Sequence, residues 1–112
     1  MRIEEIGADV AVITLLTGVD AAAGPRLGDA IAGLRRAGRR RVVVDLASTP
    51  LVNSRVLDVL VACAGDFDPR AGEGLAVVTG TGYLRQVLSI TRRGGLVFMA
   101  ETRAEALAAL GA

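Results

Sequence analysis

The chain has 112 residues, 52% of them hydrophobic, and a formal net charge of +1. That length suits one domain spanning 1–112 with its own core, and the apolar fraction excludes a disordered chain. Thirteen basic residues against twelve acidic ones leave no electrostatic footprint for nucleic acid, while the lack of histidine and the single cysteine exclude a His-based triad, the usual Cys/His zinc site and an internal disulfide.

The hydrophobic periods of two and of 3.6 alternate along the chain. Ile3 to Ile6 alternates apolar and acidic residues and reads as an edge strand. Val10 to Leu16 is β-branched and nearly all apolar, which predicts a strand covered on both faces. Gly18-Val19-Asp20 ends it with turn chemistry. A helix follows. Pro25 fits its first turn, Leu27, Ile31 and Leu34 mark one face, Arg35 and Arg36 suit its negative end, and Gly38 stops it.

Arg41 to Leu46 is the clearest strand, with three consecutive valines that predict burial on both faces. Ala47 to Pro50 reads as a loop and a second helix as starting at Asn53, with Val56, Leu57, Leu60, Val61 and Ala64 at helical spacing. Asp66 to Gly74 reads as loop, Leu75 to Val78 as a third buried strand, and Tyr83 to Thr91 as a helix broken by Gly94-Gly95. Leu96 to Met99 reads as a short strand. Thr102 caps a last helix, with Glu105 as its capping-box partner and Ala106, Leu107 and Leu110 as the inner stripe. The order β-β-α-β-α-β-α-β-α predicts an α/β fold with a mostly parallel sheet and right-handed crossovers.

Few residues carry chemistry. Asn53 and Ser54 are good helix-capping types, and capping alone accounts for the pair. Ser54 is also a hydroxyl on the first turn of a helix, where a phosphate would face free backbone N–H groups and the positive end of the dipole. Thr49 reads as turn chemistry. Gly80-Thr81-Gly82 lacks the third glycine of a dinucleotide loop, because position 85 is Arg, and no Gly-Lys-Ser/Thr is present. Arg39-Arg40-Arg41 reads as a solvated strand entry, with a grip on phosphate or an acidic partner as the alternative. Cys63 reads as a small buried residue with no histidine to activate it. No paired carboxylates and no nucleophile–base set stand out, so the chain is expected not to be an enzyme.

No uncharged apolar run approaches the roughly eighteen residues of a membrane span, and the opening Met1-Arg2-Ile3-Glu4-Glu5 is acidic where a signal peptide is basic. A cytoplasmic protein with no direct membrane insertion is expected. All thirteen basic residues are arginine; with the abundance of Ala, Gly and Val, this reads as GC-rich coding and points to a bacterial source.

In order and spacing the chain resembles the STAS domain, named after sulfate transporters and anti-sigma-factor antagonists. The resemblance runs through Gly18-Val19-Asp20, Pro25-Arg26-Leu27, the strand Val42 to Leu46 ending in Asp-Leu, Leu51-Val52-Asn53-Ser54, Leu84-Arg85-Gln86-Val87-Leu88 and Gly95-Leu96. It implies a sheet with helices mainly on one face and a regulatory role in transcription. In the antagonist type, the domain binds an anti-sigma-factor Ser/Thr kinase, which phosphorylates the Ser or Thr after an Asp and then separates from it. By position that residue is Ser54. The family's acid is Asn53 here, and the small residues that usually follow are Arg55 and Val56.

The resemblance places partner binding at Ser54, Asn53, Arg55 and Asp58, with Asp20 and Thr49 near the same end. It implies no cofactor on this chain, since ATP and magnesium would belong to the kinase. The alternatives are a STAS subunit of an ABC-type lipid-transport assembly, and a constitutive binding module that is not phosphorylated.

Overall fold

The computed structural model describes residues 1–16, 21–48, 54–79 and 98–111. Five strands form one sheet in the order β1-β2-β3-β4-β5. They are β1 (Arg2–Ile6), β2 (Val10–Thr14), β3 (Arg41–Asp45), β4 (Gly74–Val78) and β5 (Phe98–Ala100). β1 is antiparallel to β2, and every later pair is parallel. The helices described are α1 (Ala23–Arg36), α2 (Ser54–Ala64) and α3 (Arg103–Ala109).

The crossovers through α1 and α2 advance the sheet in one direction, so a common hand puts both helices on one face. There Leu27, Ile31 and Leu34 of α1 and Val56, Leu60 and Ala64 of α2 meet Ala11, Ile13, Val42, Val44, Leu75 and Val77 of the sheet. The opposite pleat (Val12, Val43, Ala76, Val78, Ala100) is covered by Ala106, Leu107 and Leu110 of α3 and the residue after it. This double cover explains the three valines: Val42, Val43 and Val44 each have no exposed surface. The fold is α/β with a mostly parallel sheet, as the pattern of residues predicts. Val44→Ala will lower the unfolding free energy by about 1–3 kcal/mol through lost burial and a small cavity. A urea midpoint equal to the parent's would refute this.

Element ends follow local hydrogen bonding. α1 closes in a Schellman motif: Arg39 N–H donates to Leu34 O and Gly38 N–H to Arg35 O. Gly38 takes φ +92, a value that favours glycine. Thr102 caps α3, its hydroxyl accepting from Glu105 N–H at 3.2 Å. The Glu105 carboxylate accepts from Glu101 N–H at 3.0 Å, one residue before the reciprocal partner of a standard capping box.

Several expected boundaries shift. β2 ends at Thr14 rather than Leu16. Leu15 N–H still donates to Asp45 O and its side chain stays buried, but Leu16 is 62% exposed. The expected loop from Asp66 to Gly74 contains a 3-10 turn at Pro69–Ala71. Asp68 builds it, its carbonyl accepting from Ala71 N–H and Glu73 N–H and its carboxylate from Arg70 N–H. β4 opens one residue early, where Gly74 N–H finds Arg40 O. β5 runs to Ala100, whose carbonyl accepts from Thr79 N–H at 2.9 Å. The helix expected at Tyr83 to Thr91, the Gly80-Thr81-Gly82 turn and Leu96 lie outside the described residues.

Candidate partner-binding site

In parallel strand–helix units the helices start at the carboxyl edge of the sheet, where binding sites concentrate. α2 starts there, and Ser54 is its first residue. Its register is set by Val56 and Leu60, both fully buried against the sheet. That register turns Arg55 and Asp58, three positions apart, to the exposed side of the helix. Asp20, Thr49 and Asn53 lie outside the described residues.

The first turn of α1 lies against that of α2. A Cβ built on Gly24 would stand 3.4 Å from the carbonyl carbon and oxygen of Arg55, and one on Gly28 would stand 3.2 Å from Val59 Cγ1. Gly24 thus lets α1 approach the backbone of α2 at Arg55, and Gly28, one turn on, makes room for the Val59 side chain. Arg55 is held between this contact and solvent.

On the other side of the sheet, the same edge carries an ion-pair cluster that the motifs do not announce. Asp45 ends β3 and is 8% exposed. Its Oδ2 accepts from Arg103 Nε at 2.8 Å, and its Oδ1 from Ala47 N–H at 2.9 Å. Arg103 Nη2 donates to Thr14 Oγ1 at 2.8 Å, and Nη1 reaches Glu4 Oε2 at 3.4 Å. One guanidinium therefore ties α3 to β1, β2 and β3. The hydrogen bond to Asp45, more than any other contact, raises the Arg103 pKa above its ordinary value. Asp45 also fixes the first residues of the connection toward α2. The available signal was an acid closing a strand buried on both faces, since a buried carboxylate needs a partner.

The arginine run is less solvated than expected. Arg39 donates through Nη1 to Gly7 O at 2.7 Å and pairs through Nη2 with Glu5 at 3.0 Å, so it fastens the β1–β2 hairpin to the end of α1. Arg40 is exposed and Arg41 half-buried. Cys63 is half-buried beside the core rather than fully buried. Burial first, and the nearby Asp66 carboxylate second, push its thiol pKa up, which disfavours the thiolate. Among the described residues no helix is long and apolar enough to cross a membrane, and no cluster of acidic and cysteine side chains is placed to hold a metal.

No protein-family model matches the sequence, and no curated protein matches it. Solved structures do. An anti-sigma factor antagonist from Mycobacterium paratuberculosis superposes with a TM-score of 0.84 at 22% identity, covering 99% of this chain and 92% of that one. An anti-sigma-factor antagonist (STAS) domain protein from Planctomyces limnophilus gives 0.77 at 19% identity, covering 99% and 97%. The phosphorylated form of the Bacillus cell fate determinant SpoIIAA gives 0.68 at 15% identity, covering 97% of each chain. The chain has the STAS fold of anti-sigma-factor antagonists over nearly its whole length.

Proposed function

We propose that this chain is a cytoplasmic, single-domain regulator of transcription that acts as an anti-sigma-factor antagonist, binding an anti-sigma-factor Ser/Thr kinase and carrying phosphate on Ser54. The observation that carries the reading is the position of Ser54. It opens α2 at the carboxyl edge of a sheet whose fold is that of the antagonists, and Arg55 and Asp58 lie exposed on the turn that follows. The switch needs a residue that accepts a phosphate without unfolding the domain. A helix N-terminus meets that need, because free N–H groups and the dipole both favour negative charge. Asp20, Thr49 and Asn53 complete the proposed surface, and in this reading ATP and magnesium belong to the kinase.

The test starts from the native cell. The tagged chain is recovered from its own cytosol, and the captured proteins are identified. A soluble kinase whose ATP-dependent activity places phosphate on Ser54, mapped by mass spectrometry, is the expected result. Capture of a transporter ATPase with Ser54 unmodified would instead identify a subunit of a lipid-transport assembly.

A further inference from the structure

β1 is an edge of the sheet. It pairs with β2 on one side and, among the described residues, with no strand on the other. Open edges recruit further strands unless charges or bulges blunt them. The charges of β1 are largely engaged at home. Glu5 pairs with Arg39 at 3.0 Å, and Glu4 lies 3.4 Å from both Arg103 and Arg2. Meanwhile Met1 and Ile3 are 43% and 47% exposed and alternate onto one pleat, while Arg2, with 72% of its side chain exposed, and Glu4 share the other.

The charge order of this strand selects a partner. Two copies of one strand pairing antiparallel about a two-fold axis must be centred on a residue, which then faces itself. Centring on Arg2 sets arginine against arginine, and centring on Glu4 or Glu5 sets glutamate against glutamate. Like charges directly opposite destabilise a strand pair. Centring on Ile6 leaves the strand after one residue and runs into the turn at Gly7. Centring on Ile3 sets Ile3 against Ile3, Met1 against Glu5, and Arg2 against Glu4 twice over.

We propose that β1 docks antiparallel on β1 of a second copy of this chain, in register at Ile3, giving a two-fold dimer whose sheet runs continuously from one copy into the other. Two intermolecular Arg2–Glu4 pairs fix the register, and the facing Ile3 side chains lose their exposure to water. α2 packs on strands remote from this edge, so the dimer leaves its first turn open. A five-residue strand pair belongs with the small, transient interfaces, below about 1,200 Å² in total, so association is read at high protein concentration.

Sedimentation equilibrium of the full chain should show a reversible monomer–dimer equilibrium. Arg2→Glu or Glu4→Arg alone should weaken self-association at least tenfold, since each sets like charges opposite one another. An equimolar mixture of the two variants should regain dimers, because every facing pair at positions 2 and 4 is then opposite in sign. Glu4→Arg also removes a partner of Arg103, so a second probe is independent of it. Opposed residues in antiparallel strands have Cα atoms about 4.5–5.5 Å apart, within disulfide reach. Ile3→Cys should therefore cross-link to itself on mild oxidation, while Glu5→Cys and the parent with its native Cys63 should not. A parent that stays monomeric at every concentration, single charge variants that dimerise as the parent does, or Ile3→Cys cross-linking no faster than Glu5→Cys would overturn the proposal.

Discussion

Arg103→Ala will destabilise the fold by about 2–3 kcal/mol, the largest loss expected from any single side chain at the polar edge. Removing one partner of a buried pair costs about 3–5 kcal/mol, because the remaining charge is stranded. Asp45 fits that case, with 11% of its side chain exposed. Arg103 fits it only partly: 39% of its side chain is exposed, so water can enter when it is truncated. The expected loss therefore falls at or just below the low end of that range. For a domain of this length it corresponds to a fall in Tm on the order of 10 °C. Two further losses support the sign. Thr14 Oγ1 gives up its 2.8 Å donor, and α3 gives up its tie to β1. Asp45→Asn in the Arg103→Ala background should recover part of the stability, because a neutral amide is cheaper to leave without that partner. Thermal melts of the two single variants and the double variant measure this coupling. An Arg103→Ala protein that melts with the parent would show that the cluster contributes nothing.

That cluster also marks where the sequence stops being legible. Strands buried on both faces announce themselves, because Val42, Val43 and Val44 have no other reading, and Val10 to Thr14 follow the same rule. Local stops were equally readable: Gly38 and Thr102 act through bonds to their own neighbours. What joins distant segments carries no local mark. Asp45 and Arg103 are 58 positions apart, and neither has a spacing that points to the other. Gly24 and Gly28 look like weak points in a helix until α2 is brought against them, where their missing side chains admit the Arg55 backbone and Val59. Arg39 resembles a solvated charge until the hairpin supplies Gly7 and Glu5. At the candidate site the division is the same. The outward register of Arg55 and Asp58 follows from the apolar spacing of Val56 and Leu60, but the contact with α1 behind Arg55 does not.

Ser54→Asp should leave the domain folded and weaken its complex with the proposed kinase at least tenfold, whereas Ser54→Ala should bind as the parent does and remain bound when ATP is added. The reasoning begins with the helix. Phosphate on Ser54 adds a charge of about −1.5 to −2, and the first turn of α2 accommodates it through its N–H groups and dipole. Arg55, next in sequence and exposed, adds positive charge at the same turn. The melting temperature should therefore hardly move. The partner is in the opposite position. A kinase pocket that has just transferred phosphate retains acidic metal ligands and the nucleotide phosphates, so the new negative charge is repelled there and the pair separates. Aspartate carries less charge than phosphate, so its effect is a lower bound. Asn53→Asp is the informative companion. It restores the acid that the resemblance to STAS domains implies before the acceptor hydroxyl, and it should raise the rate of phosphate transfer, since aspartate suits a helix N-terminus as well as asparagine does. Calorimetric titration of the kinase with each variant, with and without ATP, gives the affinities, and mass spectrometry of Ser54 gives the modification. Equal affinity for the parent, Ser54→Asp and Ser54→Ala, with Ser54 unmodified after incubation with ATP, would remove the switch and leave a binding module whose regulation lies in its partner.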